Sequence, residues 1–200
     1  MTESEPLIQN QHRTGCQGWL LLAAALMVCL LAAFPAAAHG AHATGEQPGL
    51  GSEGIGCTVV GTEGDDTLFG TEGDDVICGF GGDDVIHGRG GNDVIRGGGG
   101  GDILRGGAGD DTIYGGQGRD LIRGGAGDDI LRGGRGGDIL DGGGGDDTIR
   151  GGRGRDTIYG GAGDDTIYGD KGADTIIGGP GNDSAKVDDG DSVRKVENIL

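Results

Sequence analysis

Between Gly61 and Lys186 one apolar position recurs every nine residues. Counted from the first glycine of each nonapeptide, position eight is Leu or Ile in thirteen of fourteen consecutive repeats and Ala185 in the last. It sits within short β-branched or aliphatic triplets such as Val94-Ile95-Arg96, Thr112-Ile113-Tyr114 and Ile130-Leu131-Arg132. Side chains alternate along a strand, so position eight faces inward while seven and nine face outward. Each triplet predicts a three-residue strand. The six residues before it predict a turn, because glycine holds positions one and four in all fourteen repeats. Glycine permits positive φ and lets one turn approach the next. Two nonapeptides then make one coil of turn–strand–turn–strand. Fourteen repeats predict an all-β parallel solenoid of about seven coils.

The polar positions are as regular. Position six is aspartate in every repeat: Asp66, Asp75, Asp84, Asp93, Asp102, Asp111, Asp120, Asp129, Asp138, Asp147, Asp156, Asp165, Asp174 and Asp183. In the solenoid these carboxylates stack two repeats apart, about one strand spacing of 4.8 Å from one another. At an effective dielectric near 20 each such pair costs roughly 3 kcal/mol. The single inward aliphatic of a repeat returns about 1.5–3 kcal/mol. Fixing each backbone residue costs about 1–2 kcal/mol. The array therefore requires a cation. Calcium fits, taking six to eight oxygens from carboxylates and carbonyls. Magnesium demands a tighter octahedron, and zinc selects His or Cys, which show no ligand spacing here. Ion binding and folding are expected to be one coupled event.

Composition excludes other readings. The 52 glycines with only four prolines and no period of three are not collagen. A net charge of −18 argues against a nucleic-acid partner. No segment is long enough for a separate catalytic domain, so the chain reads as a non-enzyme, a secreted hydrolase being a remote alternative. The serines beyond the leader, Ser52, Ser184 and Ser192, lie in no nucleophile elbow, and His87 occupies an outward repeat position.

Residues 1–38 read as a secretory signal peptide. An apolar run from Trp19 to Phe34 ends in Ala36-Ala37-Ala38, with cleavage expected after Ala38. A retained membrane anchor is the alternative. With the leader removed, no membrane association is expected and the protein is extracellular. Residues 39–60 read as a flexible linker followed by the start of an N-terminal cap. Residues 61–186 form the array, and 187–200 form a C-terminal cap through Val187, Val193, Val196, Ile199 and Leu200. Cys57 and Cys78 are an even pair in an oxidising compartment and predict one disulfide at the head of the array, two free thiols being the alternative.

The repeats resemble the GGxGxDxUx nonapeptides of the RTX (repeats-in-toxin) family of hemolysin-type calcium-binding proteins. The resemblance covers residues 61–186. The short N-terminal region and Cys pair look more like small, leader-bearing actinobacterial forms than like the large toxins. It implies a right-handed parallel β-roll with several Ca2+ ions in two rows. Each ion would lie between position-six aspartates two repeats apart, from Asp66 with Asp84 to Asp165 with Asp183. Carbonyls of positions two and four of one turn and one and three of the next would complete the shell. The sequence departs from the pattern at position two, where Thr62, Thr71, Phe80, Arg89 and Asp170 replace glycine, and at position five, where Arg119 and Arg155 place a cation beside a site. Position nine of the even repeats (Cys78, Arg96, Tyr114, Arg132, Arg150, Tyr168, Lys186) forms an outward column. Its alternatives are plain surface and a face for anionic polysaccharide or cell-envelope polymers. The sequence does not fix an oligomeric state.

Overall fold

The computed structural model describes residues 56–200, and the leader and most of the predicted linker lie outside the described residues. All regular structure among the described residues is strand, seventeen in number, from β1 (Val59–Val60) to β17 (Asn198–Ile199). The odd-numbered strands form one sheet of nine and the even-numbered strands one of eight, each in chain order and parallel throughout. Consecutive strands alternate between the sheets, which is the path of a two-sheet parallel roll.

From β1 to β15 (Ser184–Lys186) the strands pair with one another at a spacing of eighteen residues, so like positions stack. Ile95 faces Ile113, which faces Leu131, which faces Ile149. The stacked position-eight residues from Leu68 to Ala185 make one continuous core, and from Ile77 onward each is fully buried. Val59, Val187, Val193 and Val196 pack against it at the two ends.

Two features exceed the sequence expectation. The internal strands are six residues long rather than three, as in β9 (Ile130–Arg135). Glycine at position one, and at position two of most repeats, still offers an N–H and a carbonyl, so pairing continues past position nine into the next repeat. The turn proper shrinks to positions four to six. The roll also has about eight coils rather than seven. Residues outside the nonapeptides add strands at both ends: β1, β16 (Ser192–Arg194) and β17. The sulfurs of Cys57 and Cys78 are bonded, which ties the segment before β1 to the second repeat.

Position two explains its own preference for glycine. From Gly98 to Gly161, and again at Gly179, it adopts positive φ. Phe80, Arg89 and Asp170 adopt it too, at 79°, 87° and 66°, in a region that favours glycine. Thr62 and Thr71 are not forced into it. The Phe80 ring is 41% exposed and adds little burial in compensation. Phe80→Gly is therefore expected to stabilise the calcium-loaded roll by about 1 kcal/mol, read as a higher thermal midpoint. An unchanged or lower midpoint would show that the left-handed side chain carries no strain.

Candidate metal centre

The position-six aspartates sit where each turn re-enters a strand. From Asp84 to Asp183 they are at most 1% exposed. In each, one oxygen is committed to the neighbouring coil. The Asp84 N–H donates to Asp102 Oδ1 at 2.9 Å, the Asp102 N–H to Asp120 Oδ1 at 2.9 Å, and the Asp111 N–H to Asp129 Oδ1 at 2.8 Å. The ladder runs in both rows of turns, from Asp66 to Asp183. The other oxygen has no partner. Oδ2 is buried without a hydrogen bond in all twelve aspartates from Asp84 to Asp183. Leaving one such acceptor unsatisfied costs kilocalories, and twelve recur in register.

The surroundings of Oδ2 are oxygen-rich. In the gap between the turn beginning at Gly97 and the turn beginning at Gly115, carbonyls converge from both sides. A methyl group on Gly97 would press on Asp102 Oδ2 and lie 2.8 Å from the Gly115 carbonyl oxygen. Methyls on Gly116 and Gly118 would collide with the Gly98 and Gly100 carbonyl oxygens. The Gln117 carbonyl points back down, accepting the Gly100 N–H at 2.8 Å. Carbonyl oxygens of positions two and four of the lower turn, and of one and three of the upper, thus lie between the two turns, the position-one oxygen nearest the orphaned carboxylate oxygen. No three His, Cys, Asp or Glu side chains converge among the described residues. Carboxylates in small number with backbone carbonyls are the donor set of a hard cation such as calcium.

The first coil differs. Asp66 Oδ2 accepts the Thr62 N–H at 2.6 Å and its hydroxyl at 2.9 Å, and Asp75 is held likewise by Thr71. Thr58 adds its hydroxyl to Asp75 Oδ1 at 2.9 Å. Threonine at position two therefore supplies donors to a carboxylate oxygen that glycine elsewhere leaves open. Arg119 and Arg155 expose their side chains at the turn surface. Their carbonyls lie 3.1 and 3.0 Å from where methyls on Gly101 and Gly137 would sit.

A second ladder runs outside the first in the opposite sense. The Asp110 N–H donates to Asn92 Oδ1 at 3.0 Å, and the Asp128 N–H to Asp110 Oδ1 at 2.9 Å. It is continuous from Asp74 to Asn182 along one edge. On the other edge it stops at Gly101, after Asp65 and Asp83.

Two residues with the position-six role were missed from the sequence. The Asp174 N–H donates to Asp191 Oδ1 and the Asp183 N–H to Glu197 Oε2, both at 2.9 Å. Their spacings, 17 and 14 residues, break the nonapeptide frame. A signal was present: Gly190-Asp191-Ser192-Val193 repeats the glycine–aspartate–strand order with one turn residue deleted.

Burial raises the inner carboxyls. It pushes Asp120, Asp129 and Asp147 up to about 7, against the N–H bond each accepts and with help from stacked carboxylates. Asp84, Asp93, Asp156, Asp165 and Asp174 rise to about 6 for the same reasons. Asp75 moves the other way: burial raises it, but the bonds from Thr71 and Thr58 together outweigh that.

This is the architecture of a metal-binding parallel β-roll, with cation gaps repeated along both rows of turns. The RTX calcium-binding nonapeptide repeat matches in four copies, over residues 60–95, 96–131, 123–158 and 150–185. The chain belongs to that family, and its cofactor is calcium, in multiple ions. A comparison with curated proteins gave no match.

The raised carboxyls set a pH dependence. Folded values near 6 to 7 lie above the ordinary 3.8. Without metal, their contribution to folding is fully present below about pH 4 and is lost as pH rises through 6 to 7. Calcium bound to these oxygens would reverse the sign, because protons and ions would compete for them. Circular dichroism in chelator is expected to gain β signal on acidification from pH 7.5 to 4.5, while the calcium midpoint rises as pH falls below 7. A chelated chain indifferent to acid would contradict buried, uncompensated carboxylates.

Proposed function

We propose that the chain is an exported, non-catalytic protein whose roll folds on meeting extracellular calcium, with the position-six aspartates as its ligands. The orphaned, buried Oδ2 atoms carry this reading. They are stable as anions only beside a cation, and millimolar calcium is the hard cation of the extracellular medium. Asp66 through Asp183 would hold the ions in pairs two repeats apart. The leader and the bonded Cys57–Cys78 pair agree with an oxidising compartment outside the cytoplasm. The repeated aspartates serve ion binding, which leaves them no role as an acid–base pair.

A second reading rests on one surface feature. In the nine-stranded sheet, Tyr114 lies between Arg96 and Arg132, with guanidinium carbons 5.7 and 5.6 Å from the ring centre, and Arg150 lies 4.4 Å over Tyr168. The ion pair found among the described residues, Arg123 with Asp141, is on the other sheet. Stacking fixes these cations without spending them on carboxylates. On a protein of charge −18 such a column suits an extended anionic polysaccharide of the cell envelope or matrix. The roll would then act as a calcium-dependent adhesion module.

The primary test is a far-UV circular dichroism titration. A cooperative coil-to-β change at millimolar calcium or below, weak or absent with magnesium, is expected. A chain already folded in chelator, or still disordered at about ten-millimolar calcium, above the roughly 0.1–1 mM dissociation constants of extracellular modules, would refute it. Protein in the culture medium is expected to begin at His39, and retention of the uncleaved leader on cells would refute free export. For the second reading, replacing Arg96, Arg132 and Arg150 by Gln should abolish retention on dextran sulfate, with neutral dextran as the blank. Unchanged retention would remove the adhesion role.

A further inference from the structure

We infer that the segment after the last nonapeptide completes two further cation sites, one in each row, with Asp191 and Glu197 as carboxylate ligands. The inference rests on the calcium reading above and extends it to residues outside the repeat pattern.

Paired two repeats apart, the nonapeptide aspartates end their sharing at Asp156 with Asp174 and Asp165 with Asp183. Yet Asp174 and Asp183 present the same orphan as the interior residues. They are 1% and 0% exposed, and Oδ2 of each is buried without a hydrogen bond. Each therefore faces a gap of its own toward the C-terminal end of the roll.

The terminal segment lines both gaps. Ser192 pairs with Thr175, which sets Asp191 in register with Asp174. At Gly169 a methyl would lie 2.8 Å from Asp174 Oδ2 and 3.1 Å from Asp191 Oδ2. Two carboxylate oxygens from successive coils thus converge on one point. Asp191 Oδ2 accepts one N–H, from Asp188 at 2.8 Å, which leaves it lone-pair capacity for an ion. In the other row, Asn198 pairs with Ser184 and sets Glu197 in register with Asp183. A methyl on Gly178 would collide with both Asp183 Oδ2 and the Lys195 carbonyl oxygen. Lys195 thus supplies the carbonyl that a position-one glycine gives in an interior coil. The longer glutamate side chain spans a turn of only 14 residues to reach the Asp183 N–H.

A purely structural cap would need only acceptors for these two N–H groups, and an amide oxygen is an acceptor too. Asp191→Asn and Glu197→Gln keep that oxygen and remove the charge that a cation requires. Native mass spectrometry of the calcium-loaded protein counts ions on each folded molecule, so partial unfolding of a variant does not blur the reading. The expected result is one calcium fewer in each single variant and two fewer in the double variant. Asp189→Asn, an exposed cap residue, should keep the full count. Wild-type and double-variant chains carrying equal numbers of ions would overturn the inference and leave the repeat sites standing. Loss of an ion from Asp189→Asn as well would assign the effect to bulk charge and also overturn it. A wild-type chain that holds no calcium would overturn both the inference and the reading beneath it.

Discussion

The structure depends on one interaction left open: the buried carboxylate oxygen that finds no donor within the chain. Each interior repeat places Asp Oδ1 on the amide of the preceding coil and leaves Oδ2 buried without a donor, near a carbonyl oxygen of the next coil. A buried anion among acceptors is among the least favourable arrangements a protein can hold. Here it recurs along both rows. The hydrophobic core is one aliphatic residue wide and cannot offset it. A divalent cation changes every term together, replacing repulsion between coils by attraction and satisfying the carbonyls at once. On the proposed reading, fold and ligand are one equilibrium.

The same geometry makes the array cooperative in one dimension. A coil contacts only its neighbours, as in other solenoids. In the proposed arrangement an ion between two turns would order both, and the second turn would present its own Oδ2 to the next gap. The outer ladder of position-five side chains runs against the inner one. Its continuity on only one edge, from Asp74 to Asn182, gives the two rows of turns different outer surfaces around similar inner sites.

Much of this was legible in the sequence because the period of nine ties each residue type to one place in the coil. Position eight as the core, position six as the inner carboxylate, and parallel stacking at a spacing of eighteen follow from the repeat alone. What escaped was what breaks the period. Strand length was underestimated because glycine carries no strand propensity, yet its backbone pairs as well as any. Asp191 and Glu197 escaped because shortened turns shift them out of frame, though each directly precedes a strand that pairs in register. Threonine at position two read as a departure from pattern, and only its bonds to Asp66 and Asp75 reveal it as a donor to the first carboxylates.

The direction of the inner ladder explains why the two ends are chemically unlike. Each amide donates to the carboxylate of the following coil. The first coil therefore has carboxylate oxygens with no amide beneath them, and it needs donors. Thr58, Thr62 and Thr71 supply hydroxyls, while the Cys57–Cys78 bond ties down the segment that carries Thr58, just before β1. The last coil has amides with no carboxylate above them, and it needs acceptors. Asp191 and Glu197 supply them. Donors can be neutral, so the N-terminal end is closed by hydroxyls and a covalent bond without further charge. Acceptors drawn from carboxylates bring charge with them, so the C-terminal end is closed by groups that repel their neighbours until a cation lies between them. The polarity of a single repeated hydrogen bond thus places neutral donors at one end of the roll and charged acceptors at the other.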